Sequence, residues 1–168
     1  MSGSDRFRIQ PATESDVPIV LDLIRQLAEY ERLRHEAVAT EADLRDGLFG
    51  PNRVAEALIG YVGNEPVGFA LFFHNFSTFV GRRGLYLEDL FVLPAWRGRG
   101  FGRQLLVRLA QIAVERNCGR MEWAVLDWNE LALRVYRAAG AQPLDEWTVH
   151  RLSGDALRRL ASDGQREE

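Results

Sequence analysis

Between Leu85 and Arg103 the chain reads Leu-Tyr-Leu-Glu-Asp-Leu-Phe-Val-Leu-Pro-Ala-Trp-Arg-Gly-Arg-Gly-Phe-Gly-Arg, an apolar stretch that runs into a turn rich in glycine and arginine. A helix opening after such a turn presents N–H groups with no intrahelical partner, at the positive end of its dipole. Gly98, Gly100 and Gly102 let the backbone approach a ligand closely, and Arg97, Arg99 and Arg103 add charge-assisted donors. This combination favours binding of a pyrophosphate. Other phosphate motifs fail on detail. A P-loop needs Gly-Lys-Ser/Thr and the chain has no lysine; a dinucleotide fingerprint needs glycine where Arg103 stands. An RNA-binding arginine–glycine segment would be longer and disordered. The remaining alternative is a purely structural turn.

Two adjacent carboxylates, Glu88 and Asp89, interrupt the apolar strand before this turn. Strand alternation sends them to opposite sides of a sheet. A buried carboxylate without a partner is costly, so an idle role is not expected. The other reading, a carboxylate at a sheet end paired with arginine, stays open, most of all for Asp89. Tyr136 lies on a predicted helix after Asn129, as a phenol acid or as a core aromatic. The lone Cys118 excludes an internal disulfide and a cysteine-based zinc cluster, and no His or Asn pattern marks it as a nucleophile. His35, His74 and His150 share no metal-ligand spacing, and no metal is expected.

These residues need elements to hold them. A strand is expected at Phe7 to Gln10. Thr13-x-x-Asp16 and Pro18 then start a helix whose core face carries Val20, Leu23, Ile24, Leu27 and Ala28. Thr40-x-x-Asp43 starts a shorter helix, with Gly47 and Gly50-Pro51 as its stop. Strands follow at Val54 to Val62, Val67 to Phe76 and Leu85 to Val92, turned at Asn64-Glu65 and at Gly81 to Gly84 as an antiparallel meander. A helix from about Gly102 to Arg116 carries Leu105, Leu106, Leu109, Ile112 and Ala113 inward. Then come a strand at Met121 to Val125, a helix from Glu130 to Ala139 closed by Gly140, a strand at Thr148 to Leu152 and a helix from Ser153 to Ala161. Residues 1–6 and 162–168 read as flexible tails. Strands flanked by helices in this order give a mixed α/β sheet.

A chain of 168 residues fits one domain with a real core, and its 46% hydrophobic content is ordinary for a globular protein. The formal net charge of −3 argues against nucleic acid and suits a cationic partner. No apolar run reaches a membrane span, Met1-Ser2-Gly3-Ser4 begins no signal peptide, and the single cysteine fits a reducing compartment. A cytoplasmic location is expected, with no membrane partner.

The pattern Arg97-x-x-Gly100-x-Gly102 after a strand is similar to the acetyl-CoA signature of the GNAT superfamily of N-acetyltransferases. Arg8 to Thr13, Leu27-Ala-Glu-Tyr-Glu31, Thr40-Glu-x-Asp-Leu44 and Val67-Gly-Phe-Ala70 resemble the spermidine/spermine (diamine) N-acetyltransferase family. So do Leu85 to Val92, Trp128-Asn-Glu130 and Tyr136-x-x-x-Gly-Ala141. Phe76-Ser-Thr-Phe79 and Ala124-Val-Leu-Asp-Trp-Asn129 look more like its thialysine-acetylating branch. The likeness runs over roughly residues 7–161. It implies a GNAT α/β fold with a mixed, mostly antiparallel sheet flanked by helices, and a homodimer.

The resemblance also implies roles. Acetyl-CoA is the acetyl donor, held by Leu90, Phe91, Val92, Arg97, Gly98, Arg99, Gly100, Phe101, Gly102, Arg103, Asn129 and Tyr136, with N–H groups near Phe91 and Val92 polarising the thioester carbonyl. An alkylamine arrives as an ammonium, so its proton must be removed before attack. Glu88 is implied as the acid that draws that proton, through water, and Tyr136 as the donor to the departing thiolate. Tyr30, Glu31, Glu88 and Trp147 are implied to face the amine, although Tyr30 and Glu31 also fit a solvated helix end. Ser77 stands where the polyamine branch carries aspartate, which favours thialysine, lysine or a short diamine. The alternatives are a GNAT enzyme for protein N-termini or an antibiotic amine, and a non-catalytic acyl-CoA-binding module.

Overall fold

A computed structural model describes residues 6–163. Of the expected tails, 1–5 and 164–168 lie outside the described residues, whereas Ser162 and Asp163 belong to the last helix. The chain divides into two compact units at Trp128/Asn129.

The first unit holds β1 (Phe7–Pro11), α1 (Val17–Tyr30), α2 (Glu41–Phe49), β2 (Glu56–Val62), β3 (Glu65–Ser77), β4 (Arg82–Val92), α3 (Phe101–Glu115) and β5 (Met121–Trp123). The sheet order is β1-β2-β3-β4-β5. Neighbours are antiparallel except β5, which runs parallel to β4. The sheet is therefore mixed and mostly antiparallel, as its sequence pattern suggests.

Short-range signals set most boundaries. The Thr13 N–H donates to Asp16 Oδ2 at 2.7 Å just before α1, and Pro18 occupies that helix's first turn. At α2 the Thr40 N–H donates to Asp43 Oδ2 at 2.8 Å while the Asp43 N–H returns a bond to Thr40 Oγ1. The helix runs through Gly47, expected as a stop, and ends at Gly50. A mid-helix glycine costs about 1 kcal/mol, less than the cap and the burial of Leu48 together contribute.

The β3–β4 turn also differs from expectation. It occupies residues 78–81, so Arg82, Arg83 and Gly84 join β4. Gly84 pairs with Asn75, whose side-chain amide occupies the space a Cβ on Gly84 would take, so this glycine lies within the strand rather than in the turn. Ser77 is buried, and its Oγ accepts the Val80 N–H at 3.2 Å.

Val20, Leu23 and Leu27 of α1 bury against Ile59, Phe69, Leu71 and Phe91, with Leu48 of α2 beside them. On the alternate strand positions lie Leu58, Ala70, Leu85 and Leu87, and α3 packs against β2, β3 and β4 through buried Leu105, Leu106 and Leu109.

The second unit holds α4 (Glu130–Ala138) and α5 (Gly154–Asp163). Gly140, at φ +85°, follows the end of α4. The strand expected at Thr148 to Leu152 does not form: these residues are exposed and irregular, and pair with no strand among the described residues. Among the described residues no helix is long and apolar enough to cross a membrane.

Candidate active site

β4 loses its regular pairing in its C-terminal half. On one side it pairs with β5 only at Leu85, Tyr86 and Leu87. From Glu88 to Val92 that edge has no strand partner among the described residues. On the other side Phe72 faces Leu87 and Leu71 faces Asp89, so Glu88 is the extra residue of a β-bulge. A bulge shifts the alternation by one. Leu85 and Leu87 therefore lie on the α3 side of the sheet, while Asp89 and Phe91 share the α1 side with Leu71 and Phe69. Glu88 is exposed at the bulge and Asp89 is the enclosed carboxylate. Unbroken alternation would have grouped Asp89 with Leu87, which is why the sequence left its role open.

The α1 side brings Tyr30 and Glu31 to this place. The Tyr30 ring lies 6.2 Å from that of Phe91 and 5.8 Å from that of Trp128. Burial raises the pKa of Glu31. Asp89 is pushed up to about 7, first by burial and then by the charges of Glu88 and Glu31. The cluster thus gathers negative charge beside aromatic rings, and one of its carboxyls exchanges a proton near neutrality. An ammonium beside them would favour the charged forms of Asp89 and Glu31.

After β4 a single 3-10 turn, Pro94–Trp96, leads to the glycine turn. Gly98 and Gly100 sit at φ +75° and +81°, and no atom lies within 4 Å of a Cβ built on either. Their side chains are excluded by backbone conformation, and open space borders the backbone. The first helical bond of α3 runs from the Gln104 N–H to the Gly100 carbonyl, so the N–H groups of Phe101, Gly102 and Arg103 precede the ladder. This cradle fits a pyrophosphate. The Phe101 ring is stacked on Phe7 of β1 at 4.1 Å, which anchors the start of α3 to the sheet. Arg103 and Arg99 are exposed, with Arg99 4.7 Å above the Trp96 ring. Arg97 is placed otherwise than its sequence position suggests: its Nε donates to the Val92 carbonyl at 2.9 Å, and its guanidinium lies over Tyr30.

A profile of the Acetyltransferase (GNAT) family matches residues 20–141. The chain is 38% identical to the thialysine N-epsilon-acetyltransferase of Mus musculus, over 92% of this chain and 96% of that one. It is 33% identical to the L-ornithine N5-acetyltransferase of Arabidopsis thaliana, over 91% and 87%. An integron cassette protein from the mobile metagenome of V. cholerae superposes with a TM-score of 0.78 at 28% identity, covering 92% of this chain and 97% of that one. The chain belongs to the GNAT acetyltransferase family.

GNAT acetyltransferases take acetyl-CoA as donor, and this GNAT chain is an acetyltransferase that acts on amines. Its second unit carries Asn129, Tyr136 and Trp147. Asn129 Oδ1 accepts the Ala132 N–H at 3.2 Å, so this side chain caps α4, a use that the sequence reading missed although Asn before a helix is its ordinary signal. Tyr136 lies half-buried on α4, and Trp147 is exposed. In the first unit the fold sets His74 beside Cys118, with Nδ1 3.8 Å from Sγ, a neighbour that no sequence spacing announced. That nitrogen also lies 3.0 Å from the Gly84 carbonyl, and Nε2 lies 2.9 Å from Arg116 Nη1. The imidazole is therefore assigned as neutral with its proton on Nδ1, where it cannot accept the thiol proton. The hydroxyl of Ser77 is engaged in its own turn.

Proposed function

We propose that this acetyltransferase transfers the acetyl group of acetyl-CoA to the side-chain amine of thialysine or a similar basic amino acid, or of a short diamine, ahead of long polyamines. The observation that carries the reading is the enclosed carboxyl of Asp89 with Glu31 and Glu88 acting on it, beside the unpaired edge of β4 and ahead of the glycine turn. The relatives support the acceptor class, since both are named for the side-chain amine of a basic amino acid.

In this reading the amine nitrogen loses its ammonium proton and attacks the thioester carbonyl carbon; the C–S bond breaks and the thiolate takes up a proton. Glu88 and Asp89 receive the ammonium proton, Glu88 from its exposed place in the bulge and Asp89 with its pKa raised to about 7. Tyr30, Glu31 and Trp147 face the amine. Leu90, Phe91 and Val92 present backbone groups to the thioester and the pantetheine arm, which Asn129 also holds. Gly98, Arg99, Gly100, Phe101, Gly102 and Arg103 form the pyrophosphate cradle. Tyr136 protonates the thiolate. Both units are read as one GNAT domain, since the family profile runs across their boundary. A cytoplasmic homodimer completes the reading; exposed Phe76 and Phe79 on the β3–β4 hairpin are apolar surface that a partner copy would cover.

The test is an acceptor panel of thialysine, L-ornithine, L-lysine, putrescine and spermine, with acetylated products scored by mass spectrometry. Thialysine or ornithine is expected to give a higher kcat/KM than spermine. A strong preference for spermine would reverse the substrate assignment, and acetyl-CoA binding without any acetylated product would favour a binding module.

A further inference from the structure

Arg97 is held at two points of its side chain. Its Nε donates to the carbonyl of Val92, the last residue of β4, at 2.9 Å. Its guanidinium carbon lies 4.1 Å from the centre of the Tyr30 ring and 5.4 Å from that of Phe91. Tyr30 is the last residue of α1, and its ring also meets Trp128. One side chain, from the segment that enters the glycine turn, thus fastens the end of α1 to the end of β4. Resting on the reading above, in which Tyr30 faces the amine, we propose that Arg97 is a positioning residue for the acceptor, holding the Tyr30 ring by its stacked guanidinium rather than serving the pyrophosphate as a charge.

The distinction is physical. A guanidinium is planar and weakly hydrated, so it can cover an aromatic face while its Nε–H donates in its own plane. An ammonium is a compact, strongly hydrated point charge that serves a phosphate well but does not lie flat on a ring. Arg97→Lys therefore separates the two roles, since it keeps the charge and removes the stack.

The experiment measures acetyl-CoA affinity by calorimetry, and KM and kcat with thialysine as acceptor, in Arg97→Lys, Tyr30→Phe, Tyr30→Leu and the double variants. Arg97→Lys is expected to raise the thialysine KM about fivefold to tenfold, the scale of one partly desolvated cation–π contact. Acetyl-CoA affinity and kcat should stay within about threefold of wild type. Tyr30→Phe keeps the ring, so Arg97→Lys should retain its full effect there; in the Tyr30→Leu background it should have none. A loss of acetyl-CoA affinity in Arg97→Lys with unchanged thialysine KM would overturn the proposal, as would equal effects of Arg97→Lys in the Tyr30→Phe and Tyr30→Leu backgrounds. A Tyr30→Leu enzyme with wild-type thialysine KM would instead remove Tyr30 from the acceptor site, and the proposal would fall with that part of the functional reading.

Discussion

A carboxyl enclosed as Asp89 is keeps its proton in the folded chain at pH values where the unfolded chain has already released it. Its pKa is about 7 in the fold against 3.8 for the ordinary group, so between these values the native state binds more protons. Stability from this group is full below about pH 4 and is lost as pH rises through 7, with a total of a few kcal/mol. Asp89→Asn is expected to flatten the fall of Tm between pH 4 and 7 and to raise Tm at pH 8, while kcat/KM drops by about 10²-fold. Glu88→Gln removes one of the two charges that raise the Asp89 pKa but leaves the burial that dominates it, so it should flatten that fall only in part. If Glu88 carries the amine proton, its loss costs a similar factor in kcat/KM near pH 7, and the deficit shrinks as pH approaches the amine's own pKa. Melting curves and steady-state rates on both variants, from about pH 4 to 10, assign the proton to one carboxyl, the other or the pair. An Asp89→Asn protein with an unchanged Tm profile would show that the carboxyl is well solvated.

At the scale of elements, the start of α3 separates ligand approach from local geometry. Gly98 and Gly100 have positive φ, so any side chain there strains the turn itself. Gly102 does not: it lies in the first turn of α3, and a Cβ built on it meets Val92 Cγ2 at 3.8 Å, an ordinary contact. Gly102→Ala should therefore leave stability unchanged or raise it by up to about 1 kcal/mol. If the pyrophosphate rests on these N–H groups, the added methyl should weaken acetyl-CoA binding by roughly tenfold. Thermal melts alongside calorimetry read both quantities, and unchanged affinity would move the pyrophosphate away from Gly102. The stack of Phe7 on Phe101 belongs to the same device, because it fixes the cradle to β1. A Cβ on Gly60 would meet the Phe7 ring at 2.6 Å, so that glycine makes room for the stacked ring.

For the whole molecule the expectation is a mass near twice 19.1 kDa by light scattering at micromolar concentration. Replacing Phe76 and Phe79 together by serine should shift that mass towards the monomer if the hairpin takes part in the interface, since both rings are exposed in the single chain. A wild-type mass near 19.1 kDa would end the homodimer reading.

The sequence by itself determined what depends on a few consecutive residues. The caps at Thr13 and Thr40, the buried faces of α1 and α3 and the glycine turn ahead of α3 are legible because caps, helical period and glycine content act within a turn or two. The same short range explains why Gly47 misled: a glycine is a weak stop once packing on either side of it outweighs the local cost. Tertiary structure decided the rest. The bulge at Glu88 exists only relative to β3, and it alone carries Asp89 to the α1 side, where burial and two neighbouring charges raise its pKa. Thr148 to Leu152 has strand-forming residues, yet it pairs with no strand among the described residues, and pairing depends on a partner that no local pattern supplies. Arg97 beside Gly98 reads as a phosphate ligand in sequence. Its guanidinium lies on Tyr30 because the fold brings the end of α1 against the end of β4, a proximity that no local pattern encodes.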